Sequence, residues 1–224
     1  MNIIVLFMVS VMVVVLWWLV LQRIASKPWL EQGAAVDART FTSSGYSRYV
    51  ASKLALWVFM VVITSLFLLF VTAYHMRMHL GDWQPLQEPR MLWFNTALLL
   101  CASIALQLSR RAIEGGNAGL YLLSFVAGGA FAIAFLLAQW WVWRGLVASG
   151  YLVADNPANS FFYLLTGLHA VHLAGGLIIW CRATLRMANG ADISRIKLSV
   201  ELCTLYWHYL LLLWLGLFAL LLST

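Results

Sequence analysis

The sequence predicts an all-α membrane protein, a polytopic bundle of six transmembrane helices with both termini on the outer side. Of its 224 residues, 63% are hydrophobic and only 10% are charged, and the mean hydropathy is +0.88. Soluble domains are about 45–50% apolar and about 25% charged. The apolar runs are also long and continuous, unlike the roughly ten-residue alternating strands of a membrane β-barrel. Composition therefore indicates transmembrane helices.

Six apolar runs are each close to the roughly 20 residues that a helix needs to cross the hydrocarbon core. They cover residues 3–21, 54–74, 91–108, 120–143, 160–181 and 202–222. The first run could be a signal peptide, but no charged segment precedes it and no small-residue cleavage motif follows it before Arg23. We therefore predict a first transmembrane helix over 1–22, an inner-side linker over 23–53 and a five-helix bundle over 54–224.

The basic residues separate the connecting segments into two classes. The segments after the first, third and fifth runs contain eleven of the fourteen: Arg23, Lys27, Arg39, Arg48, Lys53, Arg110, Arg111, Arg182, Arg186, Arg195 and Lys197. The two other loops contain only Arg77, Arg90 and Arg144. Because basic loops remain on the cytoplasmic side, both termini are expected on the outer side. The net charge of +6 thus reflects membrane topology rather than affinity for nucleic acid.

Two histidines, His169 and His172, lie within the fifth apolar run. Their spacing places both rings on one side of a helix, and an ionisable side chain at bilayer depth is a functional-site hypothesis by default. A proton relay would need further ionisable groups, yet the first four runs contain no Asp or Glu. Haem ligation by His172 and His208 fits their depths only loosely. Hydrogen bonding between helices is the interpretation that needs no further residues.

Other metal-binding patterns are weak. His75 and His79 are four residues apart, but only Asp82 lies near them, which is less than a metal site requires. The three cysteines are scattered and form no close pair, which argues against a disulfide framework or a cysteine-built metal site: Cys101, Cys181 and Cys203. The residues therefore predict neither a catalytic nor a metal site on this chain.

Two blocks in the last third resemble subunit III of the haem–copper oxidases, the superfamily of cytochrome c and quinol oxidases. The first block runs over 160–176 and contains Thr166, His169 and His172. The second places Glu201 seven residues before His208. Weaker support comes from single positions in the third and fourth runs: Asn95, Ser103, Gly129, Phe131 and Gln139. The resemblance extends from about residue 48 to the C-terminus.

The resemblance implies a non-catalytic accessory subunit of a terminal respiratory oxidase, located in a bacterial inner membrane and part of the electron-transport chain. Haem and copper would belong to the partner, catalytic subunit I, whose proton uptake and durability the accessory subunit would support. Family members have seven helices or five, so a chain with six implies that the first helix alone is absent. The partners implied are subunit I, other oxidase subunits and phospholipids, with no nucleic acid.

The resemblance also assigns roles to residues. It implies a phospholipid site on four of them: Trp17, Trp18, Arg23 and Arg186. An indole belt and inner-side guanidinium groups suit an anionic headgroup. Four further residues are expected to form polar contacts between the fifth and sixth helices: His169, His172, Glu201 and His208.

Three family carboxylates are replaced by apolar residues, at Val62, Val142 and Leu211. These departures indicate an unusual branch of the family, and they argue against proton transfer through carboxylates of this chain. One alternative is therefore a homologue of subunit III associated with a nitric oxide reductase. A second alternative is a haem-binding membrane cytochrome. The sequence leaves the electron donor and the terminal acceptor open.

Overall fold

The structure, a computed structural model, describes residues 43–84, 90–190 and 193–223, and these form five α-helices. The helices are α1 (Ser43–Arg77), α2 (Met91–Glu114), α3 (Ala118–Ala148), α4 (Pro157–Ala188) and α5 (Ile193–Leu222). Each contains a segment long and apolar enough to cross a membrane. The all-helical membrane architecture is thus confirmed for the described part of the chain. The predicted helix over residues 3–21 lies outside the described residues, and the sides of the termini remain a prediction.

All five helices extend beyond the apolar runs that predicted them. Helix α1 begins at Ser43, inside the segment expected as a linker, and α4 covers Pro157–Ala188 where the run covers 160–181. The start of α4 is defined by Asn156, whose side chain accepts a hydrogen bond from the backbone N–H of Ala158 at 3.1 Å. An apolar run marks only the part of a helix that crosses hydrocarbon, whereas backbone hydrogen bonding continues until a cap or a turn ends it.

Helices α2, α3 and α4 each end close to a glycine with positive φ. These glycines are Gly116 (+74°), Gly150 (+86°) and Gly190 (+72°). The left-handed conformation closes a helix C-terminus and costs glycine little, because glycine has no Cβ. These turns return the chain to the bundle with short connections.

The chain divides into two compact units, residues 1–73 and 74–224. The described part of the first unit is residues 43–73, which form most of α1. The second unit contains α2 to α5, in which α3 and α5 each pack against both α2 and α4. These four helices form a closed arrangement in which each has two neighbours.

The interior of the second unit is built from large apolar side chains. Leu106, Phe135 and Leu165 are fully buried there. The outer faces are apolar as well: Trp141 is 75% exposed on α3 and Val171 is 68% exposed on α4. Helices that are apolar on every side are typical of membrane spans, whose outer faces contact lipid chains.

An ion pair links the last residue of α1, Arg77, to Asp82 in the loop that follows. Arg77 Nη1 donates to Asp82 Oδ1 at 2.7 Å, and Arg77 Nη2 pairs with Asp82 Oδ2. The guanidinium group lowers the pKa of Asp82 below its ordinary 3.8. A carboxyl with a lowered folded-state pKa stabilises the fold above its unfolded-state pKa, and this contribution is lost as the pH falls through the folded-state pKa. Because Asp82 is exposed and Arg77 partly exposed, the effect on stability is small.

The pKa of Asp82 can be measured by NMR titration of its carboxyl carbon. We expect Arg77→Gln to raise that pKa towards 3.8, while Arg90→Gln leaves it unchanged. A wild-type pKa at or above the ordinary value would contradict the prediction.

Candidate functional site

His169 lies at the centre of the second unit. Its side chain on α4 has no exposed surface. The ring of Phe135 from α3 approaches it edge-on at 5.8 Å between centroids, and the indole of Trp214 from α5 lies at 5.2 Å. Neither ring nitrogen of His169 has a hydrogen-bond partner among the described residues. This imidazole therefore sits in an aromatic environment that leaves its polar atoms unsatisfied.

His172, one turn further along α4, is only partly buried. Its Nδ1 lies 2.7 Å from the carbonyl oxygen of Leu168 on the same helix. The carbonyl oxygen of His172 accepts a hydrogen bond from the Tyr206 hydroxyl of α5 at 3.1 Å. The backbone of His172 thus connects α4 to α5 at this position. Nearby, a Cβ on Gly176 would lie 2.9 Å from Tyr206 Cε1, so a glycine permits the close approach of the two helices.

His208 connects α5 to α2. Its Nδ1 lies 3.1 Å from the Ser103 hydroxyl oxygen, and the ring is partly buried. Glu201 lies two turns earlier on α5 and is also partly buried. The polar contacts predicted for His169, His172, Glu201 and His208 between α4 and α5 stay a prediction. The hydrogen bond described above for His208 goes to Ser103 on α2.

Three further hydrogen bonds join side chains of different helices, and sequence reasoning did not predict them. Trp214 Nε1 donates to Thr96 Oγ1 at 2.9 Å between α5 and α2. Asn95 Nδ2 donates to Gln139 Oε1 at 2.7 Å between α2 and α3. On the remaining side, Trp143 Nε1 of α3 donates to Thr166 Oγ1 of α4 at 3.1 Å. The sequence signal was the presence of Asn, Gln and Thr within apolar runs, which have few other options than to pair across helices.

The predicted phospholipid residues are only partly covered by the structure. Arg186 lies in the last turn of α4 and is exposed. The three others, Trp17, Trp18 and Arg23, lie outside the described residues. Of the positions where carboxylates are missing, Val62 is 59% exposed and Val142 is 5% exposed.

Within 43–84, 90–190 and 193–223, no three His, Cys, Asp or Glu residues are placed to hold a metal ion. The interhelical contacts described above include hydrogen bonds and ring packing, and they fix the positions of the helices relative to their neighbours.

The sequence profile of the family described as cytochrome c oxidase subunit III matches residues 1–223. The chain belongs to this family.

Named relatives agree with this membership. The probable cytochrome c oxidase subunit 3 of Mycobacterium tuberculosis is 28% identical over 145 residues, covering 62% of this chain and 70% of the relative. That of Nocardia farcinica is 30% identical over 148 residues with the same coverage. The cytochrome c oxidase subunit 3 of Synechocystis is 30% identical over 169 residues, covering 72% of this chain and 71% of the relative.

Family membership confirms the resemblance drawn from the two histidine blocks. This subunit III homologue is an integral membrane protein of the respiratory chain and a component of a cytochrome oxidase. The polar residues of its membrane helices therefore belong to one subunit of a larger complex.

The Ser103–His208 contact can be tested by a double-mutant cycle. Interhelical hydrogen bonds in membrane proteins contribute about 0.6 kcal/mol on average and up to about 1.7 kcal/mol. We expect Ser103→Ala and His208→Phe to show a coupling free energy in this range, measured by reversible unfolding in mixed micelles. Coupling indistinguishable from zero would show that the hydroxyl and the imidazole do not interact. Ser65→Ala combined with His208→Phe is the control pair, because the Ser65 hydroxyl bonds to Val61 O on α1.

Proposed function

We propose that this chain is a non-catalytic accessory subunit that stabilises the catalytic subunit of its oxidase and supports that subunit's proton uptake. The family match over residues 1–223 is the observation that carries the proposal. The hydrogen bonds of the second unit support it, because they join α2 to α3 and α5, and α4 to α3 and α5. Side chains used in this way give the bundle a defined packing.

His169, His172, Glu201 and His208 are assigned a structural role in this proposal. The contact from His208 to Ser103 and the link from Tyr206 to the His172 carbonyl support it. Apolar residues at Val62, Val142 and Leu211 further favour an indirect effect on proton uptake, since these side chains cannot carry protons. The chain would act on proton uptake by holding the catalytic subunit in its active conformation.

The partner that we propose is catalytic subunit I, which would contain the haem and copper of the complex. The location proposed is a bacterial cytoplasmic membrane, in line with the Mycobacterium, Nocardia and Synechocystis relatives. Phospholipids are proposed as structural ligands at Trp17, Trp18, Arg23 and Arg186. An exposed guanidinium group at the end of α4 supports this for Arg186.

If this chain belonged to a nitric oxide reductase, its accessory role would be the same and only the catalytic partner would differ. The relatives named above are all described as cytochrome c oxidase subunits, which favours the oxidase. The haem-binding alternative is favoured less because the family profile over residues 1–223 is that of an oxidase subunit III rather than of a cytochrome.

Affinity purification of the full chain from mild detergent tests the accessory role. We expect a haem–copper catalytic subunit and phospholipid to co-purify, identified by mass spectrometry. Optical spectra should show haem absorption that stays with the catalytic subunit when the two are separated. A Soret band belonging to the isolated chain would support the cytochrome instead, and recovery of a nitric oxide reductase would support that partner.

A further inference from the structure

Polar side chains from all four helices of the second unit, all of them buried except the partly buried Trp143, form one layer, which we call the central polar layer. Its members are Asn95 and Thr96 of α2, Gln139 and Trp143 of α3, Thr166 and His169 of α4, and Trp214 of α5. Asn95, Thr166 and His169 have no exposed surface, and Gln139 and Trp214 are each 1% exposed. Every member lies at least one turn inside the end of its helix, and none lies in a loop.

The contacts run around the layer from helix to helix. The imidazole of His169 lies 5.2 Å from the indole of Trp214, whose Nε1 bonds to Thr96. Asn95, the neighbour of Thr96, donates to Gln139. One turn before Gln139 on α3, Phe135 lies 5.8 Å from His169. Asn95, Gln139 and His169 thus belong to one connected region of the second unit, linked through the contacts of Trp214 and Phe135.

Four polar atoms of this region have no hydrogen-bond partner among the described residues. They are Asn95 Oδ1, Gln139 Nε2 and both ring nitrogens of His169. Exchanging the oxygen and nitrogen of both amides leaves the same number unsatisfied, because one amide pair makes one bond in either orientation. The set includes donors and acceptors, since any imidazole has at least one N–H.

We propose that the central polar layer binds one or more internal water molecules, which bridge His169 to the Asn95–Gln139 pair. A buried water typically makes about three hydrogen bonds to polar groups that are otherwise unsatisfied. Inside a bilayer, lipid chains cannot take the place of water as partners. Two apolar residues close to His169 are fully buried: Phe135, whose ring approaches the imidazole, and Leu165, one turn earlier on α4. This inference does not depend on the partner of the chain.

Solid-state NMR on the full chain in lipid bilayers tests this proposal, with ¹⁵N-labelled histidine and tryptophan. We expect magnetisation to transfer from water protons to the ring nitrogens of His169. His79, which is exposed, provides the reference for strong transfer from water. Trp180, whose Nε1 donates to Phe125 O at 2.9 Å, provides a reference that is bonded within the protein. The His169 signals are identified by their loss in His169→Phe, or by elimination with single variants of the other four histidines.

Transfer from water protons to His169 as weak as that to Trp180 would overturn the proposal. A second measurement uses Gln139→Met, which preserves the shape of the side chain and removes its polar atoms. We expect water transfer to His169 to fall at least several-fold in this variant, and to remain unchanged in Gln107→Met, a control on α2 at a partly buried position. Unchanged transfer in Gln139→Met would also count against the bridge.

The sign of the change in melting temperature of His169→Phe distinguishes a hydrated layer from a dry one. If water bridges the layer, His169→Phe removes hydrogen bonds and lowers the melting temperature. If the layer is dry, the same change removes unsatisfied polar atoms and raises it, because an apolar ring of similar shape then fits better. The wild-type NMR measurement decides the question if either variant does not fold.

Discussion

Gly129→Ala is expected to disrupt the packing of α3 against α4 and to reduce the amount of folded chain in the membrane sharply. A Cβ at this position would lie 2.1 Å from both Cε2 and Cζ2 of Trp180. The indole is held in place, because its Nε1 donates to Phe125 O and its ring stacks on that of Phe125 at 6.2 Å. Overpacking of this kind costs about 1–3 kcal/mol and occasionally more. Since a rigid ring must move and lose its hydrogen bond, we expect the upper end of this range.

The matched control is Gly145→Ala on the same helix. Nothing lies within 4 Å of a Cβ built there. This change should be neutral or stabilise α3 by up to about 1 kcal/mol, the difference in helix propensity between glycine and alanine. Unfolding in mixed micelles and the yield of the purified chain measure both effects. Equal effects at the two positions would show that the indole does not limit the residue at 129, whereas partial rescue of Gly129→Ala by Trp180→Leu would identify it as the cause.

Trp214→Ala is expected to destabilise the second unit by about 3–5 kcal/mol, the range for deleting a buried aromatic side chain. The indole is 1% exposed and lies 4.9 Å from the ring of Phe135 and 5.2 Å from that of His169. Its removal leaves a cavity at the centre of four helices. The hydrogen bond from Nε1 to Thr96 is lost as well.

Two variants separate packing from hydrogen bonding. Trp214→Phe keeps an aromatic ring and loses the Nε1 donor, so we expect a smaller loss, with about 0.5–1.5 kcal/mol due to the bond. Trp141→Ala is the control for losing an indole, because this side chain is 75% exposed on α3. Reversible unfolding gives all three free energies. A Trp141→Ala effect as large as that of Trp214→Ala would contradict the packing argument.

The positions of the described helices could be predicted because apolar runs of about 20 residues have few other structures in a membrane. The ends were predicted less well. Helix α4 begins at Pro157 because Asn156 caps it, and it ends close to Gly190, whose φ is positive. Both features lie in polar segments, where hydropathy carries no signal. Helix α1 starts at Ser43 for a related reason, since helical hydrogen bonding does not require apolar side chains.

The partners of polar residues could not be read from spacing. His169 and His172 are three residues apart on α4, yet only His169 is fully buried. The helix turns about 100° per residue, so the two rings differ in direction by about 60°. That difference places one ring at the centre of the bundle and the other at its edge. Asn95 and Gln139 contributed only weak support to the resemblance, although the structure shows them bonded to each other.

The sequence by itself determined the class of the protein, the described helices and, through the spacing of Glu201, His208 and the histidine pair, the family. These follow from composition and from local patterns. Only the tertiary structure decided which side of each helix faces inward and which polar groups meet in the central polar layer. The physical reason is that helices such as α3 are apolar on every side, because lipid and protein interior are similarly apolar. Their rotation is therefore determined by packing and hydrogen bonds with neighbouring helices rather than by an amphipathic pattern.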